Sequence, residues 1–326
     1  MRFIDLHCDT LTSCVYGQKG GHLRKTSGQL DLERLKQAGA MAQVCAVFIP
    51  PPKRPENAIP QARAYFSHAC TCLLREMNAN KDIAALAYCG DDIRANDAKG
   101  LLSILLSVED CALLDGDRQK ISLLYRRGVR LMTLTWNFEN SLGYPNSPIP
   151  ADTARGLKPF GKEAVALMQK LGILVDVSHL SDGGFWDVVE LSKAAHVPFT
   201  ASHSCARALC QHPRNLTDDM LRAIGETGSV CGINFCASFL SPTAARTNYT
   251  KIEDIVRCAR YLRDKAGIDA VALGSDFDGI DSKLEFTDCA GLPALADALA
   301  FYFPEEEVEK ICWRNALRVI DETMKA

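Results

Sequence analysis

The sequence predicts an α/β protein folded as a closed (β/α)8 barrel of the TIM type. Eight short, β-favouring apolar runs each give way to a helical stretch, the number of units that closes such a barrel. His, Asp and Glu recur at the C-terminal ends of those runs, on the face where this fold gathers its active site. No glycine-rich phosphate loop follows an early strand, which argues against a doubly wound open sheet. The 326 residues suit one barrel of about 250 residues with insertions, so 1–326 reads as a single domain.

The first strand covers 3–9 and ends in His7, Cys8 and Asp9. Alternation along a strand puts His7 and Asp9 on one face and Cys8 on the other. A helix over 31–39 stops at Gly39, and the second strand, 42–49, ends at Pro50-Pro51-Pro52. A long amphipathic helix follows over 58–78, and 82–98 adds a small strand and helix as an insertion. The third strand, 101–109, ends in Glu109; a helix over 121–127 leads to the fourth, 129–135. A Pro- and Gly-rich loop over 136–159 comes next; loops beyond about 15 residues are usually functional. Helix 163–171 precedes the fifth strand, 173–179, ending in His179. Helix 184–194 precedes the sixth, 197–203, ending in His203. Helix 218–227, strand 229–234, helix 252–266 and strand 270–276, ending in Asp276, complete the eight units. Helices over 293–302 and 305–324 finish the chain.

Composition narrows the function classes. A hydrophobic content of 47% supplies a large core, and the formal charge of −3 with scattered basic residues disfavours nucleic acid and anionic membrane as partners. No run approaches the ~20 apolar residues of a membrane span. Candidate metal-binding residues begin at position 7, so no removable leader is expected. The fourteen cysteines have no C-x-x-C spacing and read as free thiols of a reducing cytoplasm.

Strand-end placement singles out His7, Asp9, Glu109, His179, His203 and Asp276. His22, His68, His196 and His212 lack that placement and are set aside. One catalytic zinc needs only three protein ligands, and this set offers more. The economical arrangement is two ions sharing Glu109, one held by His7 and Asp9, the other by His179 and His203. Such a pair activates a shared water. Asp276 suits a general acid/base or a further ligand. Asp278, ahead of Gly279, reads as a structural turn residue.

Seven stretches, in order and spanning nearly the whole chain, resemble the membrane dipeptidase (renal dipeptidase) family of zinc peptidases. They are Asp5-Leu6-His7-Cys8-Asp9-Thr10, Val108-Glu109, Met132-Thr133-Leu134-Thr135, Asp176-Val177-Ser178-His179, Ala201-Ser202-His203-Ser204, Pro213-Arg214-Asn215-Leu216 and Gly274-Ser275-Asp276-Phe277-Asp278-Gly279. The resemblance implies a barrel that hydrolyses dipeptides with two zinc ions and tolerates a D-residue at the C-terminal position. It places His7 and Asp9 on one ion, His179 and His203 on the other, Glu109 on the bridge and Asp276 on the proton. It places Arg214 on the substrate carboxylate, which a guanidinium can grip bidentately. Relatives of this kind are commonly homodimers.

The chain departs from the animal enzymes at Trp136, where they carry a substrate-binding His. An indole donates but cannot accept or titrate, so Asn137 and Asn140 are candidates to polarise the carbonyl. Asp110 replaces a common Gly beside the bridge. The alternative is an amidohydrolase-type barrel acting on cyclic amides or esters. Those often open with H-x-H and use a carboxylated lysine, where this chain has H-x-D and Glu109.

Overall fold

The structure, a computed structural model, describes residues 1–18, 21–50 and 58–324. Its main sheet contains β1 (Phe3–Cys8), β2 (Ala40–Phe48), β3 (Ala84–Leu86), β4 (Leu102–Glu109), β5 (Val129–Thr133), β6 (Leu174–Asp176), β7 (Thr200–Ser204) and β8 (Val230–Ile233). After β9 (Tyr249–Thr250) comes β10 (Val271–Leu273), which completes that sheet, and β11 (Lys283–Leu284) pairs with β9 outside it. All pairings are parallel, in the order β2-β1-β10-β8-β7-β6-β5-β4-β3. The extra pairing of β2 with β4 closes the ring. Eight strands therefore form the barrel, and β3 lies against the start of β4 ahead of β5.

Side-chain alternation sorts the strands into two cores. Ile4, Leu6, Ala42, Val44, Leu105, Leu131, Leu174, Val230 and Ala272 point into the barrel and pack with Ala316, Val319 and Ile320. Those last three lie on the C-terminal helix (Asn315–Thr323), which plugs the bottom of the barrel. The intervening residues, among them Phe3, Val47, Ile104, Val108, Val175 and Leu273, pack outward with the surrounding helices. Strands covered on both faces read as near-continuous apolar runs, which is why they were visible in the sequence. On β4 the inward column is Ser103, Leu105, Ser107 and Glu109, so period two delivers the carboxylate to the barrel mouth.

Several helices carry local start and stop signals. Asp31 caps Leu32–Ala38 by accepting from the Arg34 N–H, and Gly39 ends it at φ 89°. Ser181 and Thr217 cap Asp182–Ala195 and Asp218–Glu226 in the same way. The expected 305–324 helix is interrupted by a π-turn over Lys310–Arg314. The helix Thr10–Tyr16 was not expected, and the expected prolyl stop after β2 runs into 51–57, outside the described residues.

Candidate active site

The C-terminal ends of the strands surround a cavity of about 680 Å³ lined by Asp9, Glu109, Trp136, His179, Arg214 and Asp276, among others. Glu109 lies at its centre. Its Oε1 is 3.1 Å from His179 Nε2 and 3.6 Å from His203 Nε2, while Oε2 is 3.6 Å from His7 Nε2. On the far side, His7 Nε2 lies 3.7 Å from Asp9 Oδ2 and 3.8 Å from Asp276 Oδ1. His179 Nε2 and His203 Nε2 are 3.1 Å apart, and the His7 and His203 rings stack with centroids 3.8 Å apart. All six strand-end residues thus meet in one cluster.

The backbone aims them by irregularities. Between Asp5 and Cys8, β1 advances three residues while β2 advances two, from Gln43 to Cys45. The same three-against-two step occurs on β7, from Ala201 to Ser204, against Cys231 and Ile233 of β8. Both are bulges, which re-aim side chains, and they carry His7 and His203. His179 and Asp276 were expected on strands, but β6 ends at Asp176 and β10 at Leu273. Both residues have left-handed backbones, with φ of 67° and 62°. That conformation cannot continue a ladder.

Tautomers follow from the partners. Ser202 Oγ donates to Asp176 Oδ2 at 2.7 Å, so His203 Nδ1–H donates to Ser202 Oγ, also at 2.7 Å. His179 Nδ1 faces the Asn137 side-chain oxygen at 3.0 Å, an acceptor. Both imidazoles therefore direct Nε2 lone pairs at Glu109 Oε1. Three electron-rich atoms so close repel one another unless a cation lies among them. His7 Nδ1 and Nε2 and Asp9 Oδ1 are buried without hydrogen-bond partners. These imidazole and carboxylate donors fit zinc.

Burial opposes ionisation of Glu109, yet the neighbouring His7 holds its carboxyl well below the usual range. His7 is also opposed by burial, but Glu109 and Asp9 raise it well above an ordinary imidazole. Burial, reinforced by Arg214, lowers His179 to about 4, and burial with His7 pushes His203 well down. Burial, with Asp9 and Glu109 nearby, raises Asp276 to about 7.

Against this geometry, a profile of the membrane dipeptidase family, peptidase family M19, matches residues 1–326. The chain belongs to that family. It is a metallo-dipeptidase. The membrane dipeptidase fold is shared with a metallopeptidase from Rhodobacter sphaeroides liganded with a phosphinate mimic of L-Ala-D-Ala. The two are 29% identical, with a TM-score of 0.89 over 99% of each chain. The chain is 30% identical to dipeptidase tcpJ of Claviceps purpurea over 91% of its own length and 69% of the relative's. It is 39% identical to an uncharacterised protein in the pqqA 5′ region of Klebsiella pneumoniae, over 68% of this chain and 82% of that one. Despite the family's name, no helix among the described residues is long and apolar enough to cross a membrane.

The remaining candidate residues fall into two groups. Arg214 is only 6% exposed, its Nη2 donates to the His203 carbonyl at 3.1 Å, and its buried Nε lacks a partner. Trp136 walls the cavity, edge-on to Phe48 with centroids 4.9 Å apart. Asn137 lines the same cavity, with its oxygen engaged by His179. Asn140 does not serve the expected role. Its amide donates to Asp110 and the Leu134 carbonyl, and its oxygen accepts from Leu142 and Gly143, so it pins the loop. Asp110 turns to that amide and the Ala112 N–H, and burial raises it to about 6. Asp278 accepts from Thr10 and the Gln29 N–H, the structural part expected of it.

Asn234 was missed. Its Nδ2 donates to Asp276 Oδ2 at 2.9 Å and its oxygen accepts from the Cys236 N–H. It lies just past β8, at the one late strand end without a His or acid, and the strand-end rule applied to amides would have found it.

Proposed function

We propose that this chain hydrolyses dipeptides with a free C-terminal carboxylate at a centre of two zinc ions, accepting a D-residue at the C-terminal position. The observation that carries the reading is the division of Glu109, one oxygen toward His7 and the other toward His179 and His203. A carboxylate so divided suits a bridge, with His7 and Asp9 holding one ion and His179 and His203 the other. Ions bound there lower the pKa of a shared water toward neutrality and polarise the scissile carbonyl.

The chain's own groups do the rest. Arg214 grips the substrate carboxylate, which selects molecules ending one residue past the scissile bond and fixes the reacting bond over the centre. Asn234 holds Asp276 Oδ2, leaving Oδ1 toward His7. From there Asp276 takes the attacking water's proton and returns it to the leaving amine. Trp136 shields the His179 side and offers only an N–H donor. The L-Ala-D-Ala mimic bound by the Rhodobacter protein supports the D-residue assignment. Fourteen cysteines, none in a disulfide, support a cytoplasmic location.

The test is a panel of L,L and L,D dipeptides with their C-terminal carboxamides, given to zinc-loaded protein of measured metal content. Two zinc per chain, cleavage of both dipeptide series and poor cleavage of the carboxamides are expected. Protein that holds two zinc and cleaves none of them refutes the substrate assignment.

A further inference from the structure

We propose that the loop after β5 is the device that holds His179 in its ligand pose, with Asn137 and Asn146 as positioning residues acting through it. The inference rests on the reading of His179 as a metal ligand. His179 has a left-handed backbone, φ 67°, although it is not glycine, and such a conformation persists only where its surroundings impose it. Here the surroundings are the loop. The His179 carbonyl accepts the Asn146 backbone N–H at 2.8 Å, the Asn146 side-chain amide at 3.0 Å and the Thr135 hydroxyl at 3.2 Å. A β-bridge between Pro145 and Leu180 runs alongside. The ring is fixed from the same loop, because Nδ1 faces the Asn137 oxygen at 3.0 Å.

The two imidazoles opposite Glu109 Oε1 are thus set from different places. His203 takes its tautomer from the barrel interior, through Ser202 and Asp176. His179 takes both its backbone conformation and its tautomer from residues 135–146. Asn137 was expected to polarise the substrate carbonyl. With its oxygen engaged by His179 it acts first on the ligand, and its truncation should reach metal affinity before substrate affinity.

The experiment measures zinc stoichiometry and affinity by competition with a chromophoric chelator, for wild type, Asn137→Ala, Asn137→Asp and Asn146→Ala. KM and kcat for one dipeptide are taken at saturating zinc. Loss of a partner orienting a metal-bound His typically weakens metal affinity about 10- to 100-fold. Asn137→Ala should weaken one zinc equivalent by that factor and leave the other unchanged, with KM within about twofold of wild type. Asn137→Asp keeps an acceptor at the same place and should recover the affinity. Asn146→Ala, which removes one of three bonds to the carbonyl, should weaken the same equivalent by less. Asn137 is exposed, so its truncation leaves the core intact. Wild-type affinity at both equivalents with a raised KM in Asn137→Ala overturns the proposal in favour of a substrate contact. Equal weakening of both equivalents also overturns it. Wild-type protein that takes up no zinc instead overturns the metal-centre reading beneath it.

Discussion

Asp276 is a residue whose charge the fold opposes, since its carboxyl is buried beside Asp9 and Glu109 and raised to about 7. A carboxyl whose pKa is higher folded than unfolded costs stability as pH rises from the unfolded value, about 4, to the folded one. In metal-free protein, Asp276→Asn should therefore match wild type below pH 4 and exceed its stability increasingly toward pH 7, as urea denaturation will measure. In zinc-loaded protein the same variant should turn over about 10²- to 10⁴-fold more slowly with its metal retained; loss of metal would make Asp276 a ligand. Residues of this kind were legible in the sequence, because His, Asp and Glu at strand ends carry a recognisable chemistry. Asn146 and Ser202 were not. Away from the last position of a strand, a neutral side chain announces nothing until the partner it reaches is known.

Among the strands, periodicity disclosed presence and order, and the structure added where their ladders break. The bulge on β7 pushes the Ser202 carbonyl inward, and the space it enters exists because Gly232 and Gly274 have no side chains. A Cβ at either position would lie 2.1 or 1.8 Å from that oxygen. Gly274→Ala should therefore displace β7 and His203 with it, destabilising the protein by about 1 to 3 kcal/mol, as overpacked sites do. Thermal melting and zinc content should fall together, and unchanged zinc affinity would show that the bulge does not aim His203. Periodicity could not reveal these bulges, since a single extra residue leaves an apolar run looking the same. For the same reason His179 and Asp276 were read as strand residues when both lie in turns.

For the whole molecule, the centre draws on β1, β4 and β7 and on the turns after β6 and β10, so ions bound there link most of the barrel. Ligands that bind only the folded state stabilise it by mass action, about 2.7 kcal/mol at a hundredfold excess over Kd. Chelation should lower the melting temperature by several degrees and zinc should restore it; an unchanged melting temperature would mean that the ions contribute little to the fold. The closed barrel was legible from the count of units, whereas the plug formed by Asn315–Thr323 was not, because an apolar helix face does not name the surface it covers. The seam of the ring has one more consequence. β1 is hydrogen-bonded to β10, and the Asp276 N–H donates to the carbonyl of His7. His7 and Asp276 therefore reach one centre only once the seam between β1 and β10 has shut. A barrel still open along that seam presents an incomplete site, so peptidase activity can begin only after the ring closes.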